Sequence, residues 1–546
     1  MTTLQLISGN LSVVLQNIAS FFTPDPSVPL VFSSGAFWLM FLVFLPIFAC
    51  IRHRKSQMML FVVAFSLFFA FKSCGWIFLL MVVTSVIDWH LALRISRTEA
   101  KRARQLMLCA SLLCSVGILM VFKYTNFFML SWHEIVGGNF HPLAIIAPIG
   151  ISFYTFRTIS YVVDVYKGKM PPVESYLQYL FYLSFFPCMV AGPVVRAKDF
   201  MPQLERTTDV TKAEIYGGFW LVMVGVVKKA VIADYLAQYS SIIFGSPETL
   251  QGYSGFELLM AGIGFTVQLY ADFSGYSDMA IGLGAIMGFD LGVNFDHPFR
   301  SLNITEFWRR WHISLSFWLR DYVYIPLGGN RKGKIRQYVN LFLTMLIGGL
   351  WHGAGFTYVI WGAIHGVALV VHKMCMPWLK RIPDNWAVKL LSGLLTFTTV
   401  MLAFVFFRAE SVAEATTIIG GIFTNFDLAY LPPFVSVRYV WCIMLVLLLV
   451  AHFVPCSIYA AVKNWFVESF WLVKLVVFVI VVQLVLQFAT SDVTPFIYAQ
   501  YLPIKCYKDV TICPLRHCGT NCNIFVIFTS IIYYNFALQR KKKHND

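Results

Sequence analysis

The sequence predicts an all-α polytopic membrane protein, a bundle of about a dozen transmembrane or re-entrant helices. Three observations carry that prediction. The chain is 58% hydrophobic and only 13% charged, with a mean hydropathy of +0.70, which excludes a soluble globular domain. Its basic residues fall in short stretches between long apolar runs. The net charge of +15 therefore reads as the positive-inside bias of membrane loops, with lipid rather than nucleic acid as partner. Aromatic content reaches 17%, with 51 Phe, a composition suited to helices in contact with lipid.

Taken in order, the chain has no Lys or Arg before Arg52, so it lacks the positive n-region of a secretory signal. The apolar run Pro29–Ile51 then meets Arg52-His53-Arg54-Lys55. This predicts a first span running from outside to cytoplasm, with a periplasmic N-terminus. Two apolar runs over Met58–Leu93 predict a hairpin ending at the basic stretch Arg94–Arg104. Leu106–Leu130 leads outward and Ile145–Tyr166 returns to Lys167-Gly168-Lys169.

Phe186-Pro187 and Gly192-Pro193 interrupt a run too short to span. Proline removes a backbone donor and disfavours helix before it, so a broken, re-entrant segment packed inside protein is expected. Further segments are Ile215–Val227, Phe256–Leu269, Ala280–Phe289, Phe356–Val371, Leu390–Phe407, Val440–Val454 and Leu472–Phe488. Ala280, Gly284 and Gly288 recur every fourth residue, a face for close helix approach. Asp272 and Asp278, beside Ser274 and Ser277, read as capping or interhelical hydrogen-bonding residues.

The passage 306–352 departs from this lipid-facing pattern. Arg309, Arg310, Arg320 and Asp321 lie among Trp308, Trp311, Phe317 and Trp318, with His312 in their midst. A charged side chain at mid-bilayer costs roughly 2.5–3.5 kcal/mol on insertion scales, so four facing lipid would cost on the order of 10–14 kcal/mol. They must lie at an interface, re-enter inside a protein shell or line a wet cavity. Residues 300–336 hold eight Lys or Arg against Glu306 and Asp321, which places the region at the cytoplasmic side. Phe307, Trp311, Leu315, Trp318 and Tyr322 recur at helical spacing, an aromatic face beside His312.

FFPCMVAGPVVRAKDFMPQL (185–204) resembles a signature of the membrane-bound O-acyltransferase (MBOAT) superfamily. The long stretch 272–331, ending in IPLGGNR (325–331), and GGLWHGAGFTYVIWGAIHG (348–366) resemble its alginate O-acetyltransferase-like branch. The resemblance runs from about residue 30 to 501 and implies an MBOAT fold around a central channel, as one domain over 1–501. The activity it implies is an inner-membrane O-acetyltransferase of alginate-biosynthesis type. Such an enzyme takes an acetyl group from a cytoplasmic donor, acetyl-CoA, towards a periplasmic polysaccharide acceptor. Periplasmic acetyltransferase partners would complete the transfer. No bound cofactor or metal is implied. His352 matches the family's essential histidine and His312 a second one.

The chemistry of the residues is compatible with that activity. Acyl transfer to a hydroxyl needs a base, donors for the developing oxyanion and exclusion of water. A buried neutral imidazole at His352 supplies the base. The flanking Gly348, Gly349, Gly353 and Gly355 would loosen the helix and admit substrate to the backbone. The residues alone favour a structural histidine there, and the family resemblance reverses that reading. His312 either positions the donor, holds the His352 tautomer or serves packing alone. Arg309, Arg310, Lys332, Lys334 and Arg336 suit coenzyme A phosphates and equally suit the anionic inner leaflet. Trp311 and Trp351 are candidate substrate contacts beside them, and His365 and His372 read as structural.

Two rivals remain at this level. One is D-alanyl transfer to a teichoic acid-type polymer; the other is a transporter that moves solute without acyl transfer. No G-x-S-x-G elbow, Walker motif or Rossmann fingerprint occurs. Residues 502–546 form a tail without family counterpart. It carries Cys506, Cys513, Cys518, Cys522 and His517, the apolar run Ile524–Leu538 and a basic end. Its cysteine spacings are not those of a paired zinc site. The other eight cysteines, scattered singly in apolar runs, read as small buried hydrophobes.

Overall fold

A computed structural model describes residues 22–24, 30–137, 141–143, 145, 147–205, 210–245 and 247–488. The tail 502–546 and the stretch 495–501 lie outside them. Among the described residues there is no strand. The first half comprises α1 (Gly35–Ile51), α2 (Lys55–Cys74), α3 (Leu79–Arg97), α4 (Lys101–Val136), α5 (Ile151–Tyr166), α6 (Tyr176–Ser184), α7 (Lys212–Val226), α8 (Asp234–Ile243) and α9 (Gly255–Ile286). The second comprises α10 (Ile304–Arg310), α11 (Ile313–Leu319), α12 (Lys334–His352), α13 (Phe356–Leu379), α14 (Trp386–Arg408), α15 (Val412–Thr424), α16 (Leu431–Val437), α17 (Tyr439–Phe453), α18 (Cys456–Glu468) and α19 (Trp471–Phe488). Six helical stretches among the described residues are long and apolar enough to cross a membrane, or up to eight if each sharply bent pair, α15–α16 and α17–α18, counts as one span. The protein is thus an all-α polytopic membrane protein.

Much of the phenylalanine points inward. Phe37, Phe41, Phe44 and Phe48 recur at helical spacing on α1 and are all buried, a face that packs on protein and not on lipid. Phe186, in the interrupted segment, sits at the centre of that cluster. Its ring centroid lies 5.0 Å from Phe65, 5.7 Å from Phe44 and 6.2 Å from Phe37. As expected, the backbone from Phe186 to Arg196 is broken, with one 3-10 turn at Phe186–Cys188. Every residue from Phe186 to Val195 is buried in protein, where irregular backbone is tolerable.

Three local expectations are corrected. The close helix approach on α9 does not use Gly284 and Gly288. Gly282 lies against Gly218, and Gly275 against Gly225; a Cβ at Gly282 would stand 2.5 Å from the Gly218 carbonyl oxygen. Small residues seven apart on both α7 and α9 therefore let the two backbones meet. Ala280 instead touches Gly192. The apolar run at Ile215–Val227 does not end a span before Lys228. The helix continues through a π-helical turn, Val227–Ala233, into α8, which carries Lys228 and Lys229 into the bundle.

The third correction concerns 307–322, which is not one helix. Trp311 is extended and His312 adopts the left-handed conformation, φ 43°, ψ 55°, splitting α10 from α11. Such a conformation strains a residue with a Cβ, on the order of 1–3 kcal/mol. Two backbone bonds compensate it: Ile313 N–H donates to the Asn294 carbonyl and Asp296 N–H to the Arg310 carbonyl, each at 2.9 Å.

Candidate active site

His352 is the last residue of α12, where the final carbonyls of a helix lack intrahelical donors. Two neighbours on α4 supply them. Lys123 Nζ donates to the carbonyls of Trp351 and His352, the latter at 3.1 Å, and the Tyr124 hydroxyl donates to Leu350 O at 2.5 Å. Lys123 is only 8% exposed and lies 5.7 Å from the centroid of the Trp351 ring. The end of α12 is thus clamped from the side by two donors of α4.

The His352 ring is enclosed by protein. Its centroid is 4.9 Å from Trp351, 4.9 Å from Trp361 and 5.4 Å from Phe407. Trp351 stacks on Phe156, and Phe156 on Trp318, at 4.7 Å and 3.7 Å. Of the glycines around His352, Gly349 and Gly353 serve packing. A Cβ on Gly349 would stand 2.4 Å from the Tyr358 carbonyl oxygen, and one on Gly353 would strike the Tyr358 ring. They bring α12 against α13, because side chains there would hold the helices apart.

His312 is fully buried. Phe273 meets its ring edge-on at 4.6 Å. Its Nδ1 stands 3.1 Å from Asn294 Oδ1, while Nε2 is buried with no hydrogen-bond partner among the described residues. His365 is also fully buried, among Phe307, Trp308, Trp361 and Phe404. His372 bonds Thr305 Oγ1 at 2.8 Å.

The predicted donor residues separate. Arg309 and Arg310 line a cavity of about 630 Å³ together with Thr305, Glu306, His372 and Lys380. Arg310 is engaged by Glu306 at 3.0 Å and Asp296 at 3.4 Å. Neither histidine of the site is among the residues lining that cavity. Trp311 is buried, stacked on Phe307 at 5.4 Å, and Trp351 belongs to the wall of His352. Arg320 and Asp321 pair with each other, and Asp321 also binds Arg196 at 2.7 Å. Burial alone would raise the Asp321 carboxyl, but the hydrogen bond and charge of Arg320 and the charge of Arg196 outweigh it and hold it below the usual carboxylate range.

Asp272 and Asp278 bond across helices, as expected, and do so as ion pairs. Asp272 pairs with Lys229 at 2.6 Å and Asp278 with Lys228 at 2.7 Å, and Lys229 also binds Asp234. Lys123, Lys228, Lys229 and Asn294 escaped the sequence reading. For the lysines a signal existed: an ammonium inside or directly after an apolar run demands a partner. Asn294 had no comparable signal. No group of three or more His, Cys, Asp or Glu suited to a metal occurs among the described residues.

The family model of the membrane-bound O-acyltransferases matches residues 120–413, a span that holds both histidines, the clamp and the broken segment. The chain belongs to the MBOAT family. It is 41% identical over 404 residues to a "Probable alginate O-acetylase" of Pseudomonas aeruginosa, covering 72% of this chain and 75% of that one. It is 37% identical over 387 residues to a peptidoglycan O-acetyltransferase of Helicobacter pylori, covering 66% and 72%. A teichoic acid D-alanyltransferase of Bacillus subtilis is 30% identical over 283 residues, 49% of this chain and 70% of that one. The protein is therefore a multi-pass membrane O-acyltransferase, and the transporter reading gives way to an enzyme.

Proposed function

We propose that this protein moves acetyl groups from cytoplasmic acetyl-CoA across the inner membrane to hydroxyls of an extracytoplasmic polysaccharide of the alginate type. The observation that carries this reading is the setting of His352. An imidazole at a clamped helix end, ringed by Trp351, Trp361 and Phe407, is a base shielded from water and lipid. Arg309 and Arg310 at the 630 Å³ cavity suit the phosphates of the donor. The acetyl relatives also align over more of the chain than the D-alanyl relative does.

In the reaction the hydroxyl oxygen attacks the thioester carbonyl carbon and the C–S bond breaks. The hydroxyl proton passes to His352 and then to the departing thiolate, leaving an acetyl ester and free coenzyme A. The hydroxyl belongs to the polysaccharide itself or to a periplasmic partner protein that carries the acetyl group onward. His312 positions the donor. Because both rings are closed off in this structure, the donor arm must displace side chains to reach them.

Liposomes holding the purified protein, given radiolabelled acetyl-CoA outside and an oligosaccharide acceptor inside, test the reading. Release of coenzyme A with label on the lumenal sugar supports it. Label delivered only from a carrier-protein thioester would favour the D-alanyl type of donor instead.

A further inference from the structure

His312 and Asn294 are joined by a network whose donors and acceptors can be assigned without ambiguity. Ser314 N–H, a donor by necessity, points at Asn294 Oδ1 at 3.3 Å. Ser314 Oγ accepts from Val194 N–H at 2.9 Å and donates to Asn294 Oδ1 at 2.8 Å. Asn294 Nδ2 donates to Ser277 Oγ at 3.0 Å. The amide orientation is set by the Ser314 N–H: reversing it would set NH2 against that backbone donor. With an oxygen opposite, Nδ1 of His312 must carry the proton, and in a neutral imidazole the lone pair then resides on Nε2. That atom is the buried one with no partner among the described residues, and an acceptor left so inside a protein is costly unless something comes to fill it.

We propose that Asn294 is a positioning residue: it locks His312 in the Nδ1–H form so that Nε2 is presented to the reacting groups as an acceptor. The amide does this from within the bundle without touching substrate itself. Asn294 is 1% exposed. It reaches α9 through Ser277, the broken segment through Ser314 and Val194, and His312 directly. Its own backbone carbonyl holds Ile313 N–H and thereby the left-handed bend at His312. Side-chain tautomer and backbone kink are thus set by one residue. An Nε2 acceptor suits an N–H or O–H of the bound substrates, and it makes His312 unable to donate at that atom.

The proposal rests on His312 belonging to the reaction site, and the experiment separates the two ideas. Ring-nitrogen NMR of 15N-histidine-labelled protein in lipid, with His312→Gln used to assign the signal, reads the tautomer irrespective of activity. A protonated Nδ1 and bare Nε2 are expected in the parent protein, with a mixed or reversed tautomer in Asn294→Leu. Acetyl transfer in N294L is expected to fall about 10–100-fold in kcat with little change in KM, the usual scale for orienting partners. Asn294→Asp keeps an acceptor opposite Nδ1 and should restore most of kcat. Its carboxylate favours the charged imidazole, so the acid limb of the pH–rate profile should move to higher pH. A protonated Nε2 in the parent protein, or an N294D profile identical to the parent, overturns the proposal. If instead the tautomer is as stated and His312→Ala transfers normally, the proposal's functional half fails with the reading of His312, while the role of His352 stands.

Discussion

Two polar clusters lie inside this apolar bundle, and they are built on opposite terms. Between α7–α8 and α9, Lys228 and Lys229 meet Asp278, Asp272 and Asp234 at 2.6–2.7 Å, so the cations are answered by carboxylates within the chain. Around α11 and α12, by contrast, His312 keeps one ring nitrogen bonded to Asn294 and the other without a partner among the described residues. A closed ionic cluster contributes to the fold, since nothing further need bind it. An open acceptor in a dry, aromatic setting is what the proposed role of His312 requires. The difference teaches that intramembrane polarity alone does not mark a site, because polar groups paired within the chain serve the fold.

That contrast is breakable from both ends. The largest effect is expected for His352→Ala, which should lower transfer by about 10²–10⁴, roughly 3–5 kcal/mol, with the protein's membrane level nearly unchanged. Assay of polymer acetylation beside quantitative immunoblotting checks it, and normal acetylation would remove His352 from the chemistry. Lys229→Met should do the reverse. It leaves Asp272 and Asp234 uncompensated, a loss of about 3–5 kcal/mol of stability, seen as reduced folded protein in detergent thermal scans. An unaltered melting temperature would mean the cluster is not holding α7–α8 to α9.

Lys123→Met tests whether the clamp belongs with chemistry or with folding. We expect about a tenfold fall in kcat with KM unchanged, because the end of α12 loses the donors that fix His352. A change confined to KM would contradict that placement. Arg309→Ala should raise KM for acetyl-CoA several-fold and leave kcat alone, consistent with a lost phosphate contact of about 1–2 kcal/mol. The smallest effect is expected for Asp321→Asn. The parent carboxyl is held below its ordinary value by Arg320 and Arg196. Its contribution is therefore present above about pH 4 and lost as pH falls through the folded value. The variant should melt a few degrees lower at pH 7 and approach the parent as the medium becomes acidic.

Much of the architecture was legible because membrane insertion imposes simple rules on sequence. Apolar length marks spans, proline breaks them, and an arginine-rich passage such as 306–336 cannot face lipid whatever the tertiary arrangement. The irregular segment at Phe186–Arg196 followed from Pro187 and Pro193 alone. The kink at His312 did not, since a left-handed histidine has no local signature and exists only because Asn294 and Arg310 bond across it. The glycines misled for a related reason. A small residue says that something comes close, and only the packed molecule says that the neighbour of Gly349 is α13 and not a substrate.

By itself, then, the sequence determined an all-helical membrane enzyme type and drew attention to His312 and His352, through hydropathy, charge placement and long motifs. The tertiary structure decided which polar groups satisfy one another: Lys228 and Lys229 with the acids of α9, Lys123 with the end of α12, Asn294 with His312. Partnership between residues tens to hundreds of positions apart depends on where helices cross, and helix crossings are set by side-chain packing that no local stretch of chain encodes.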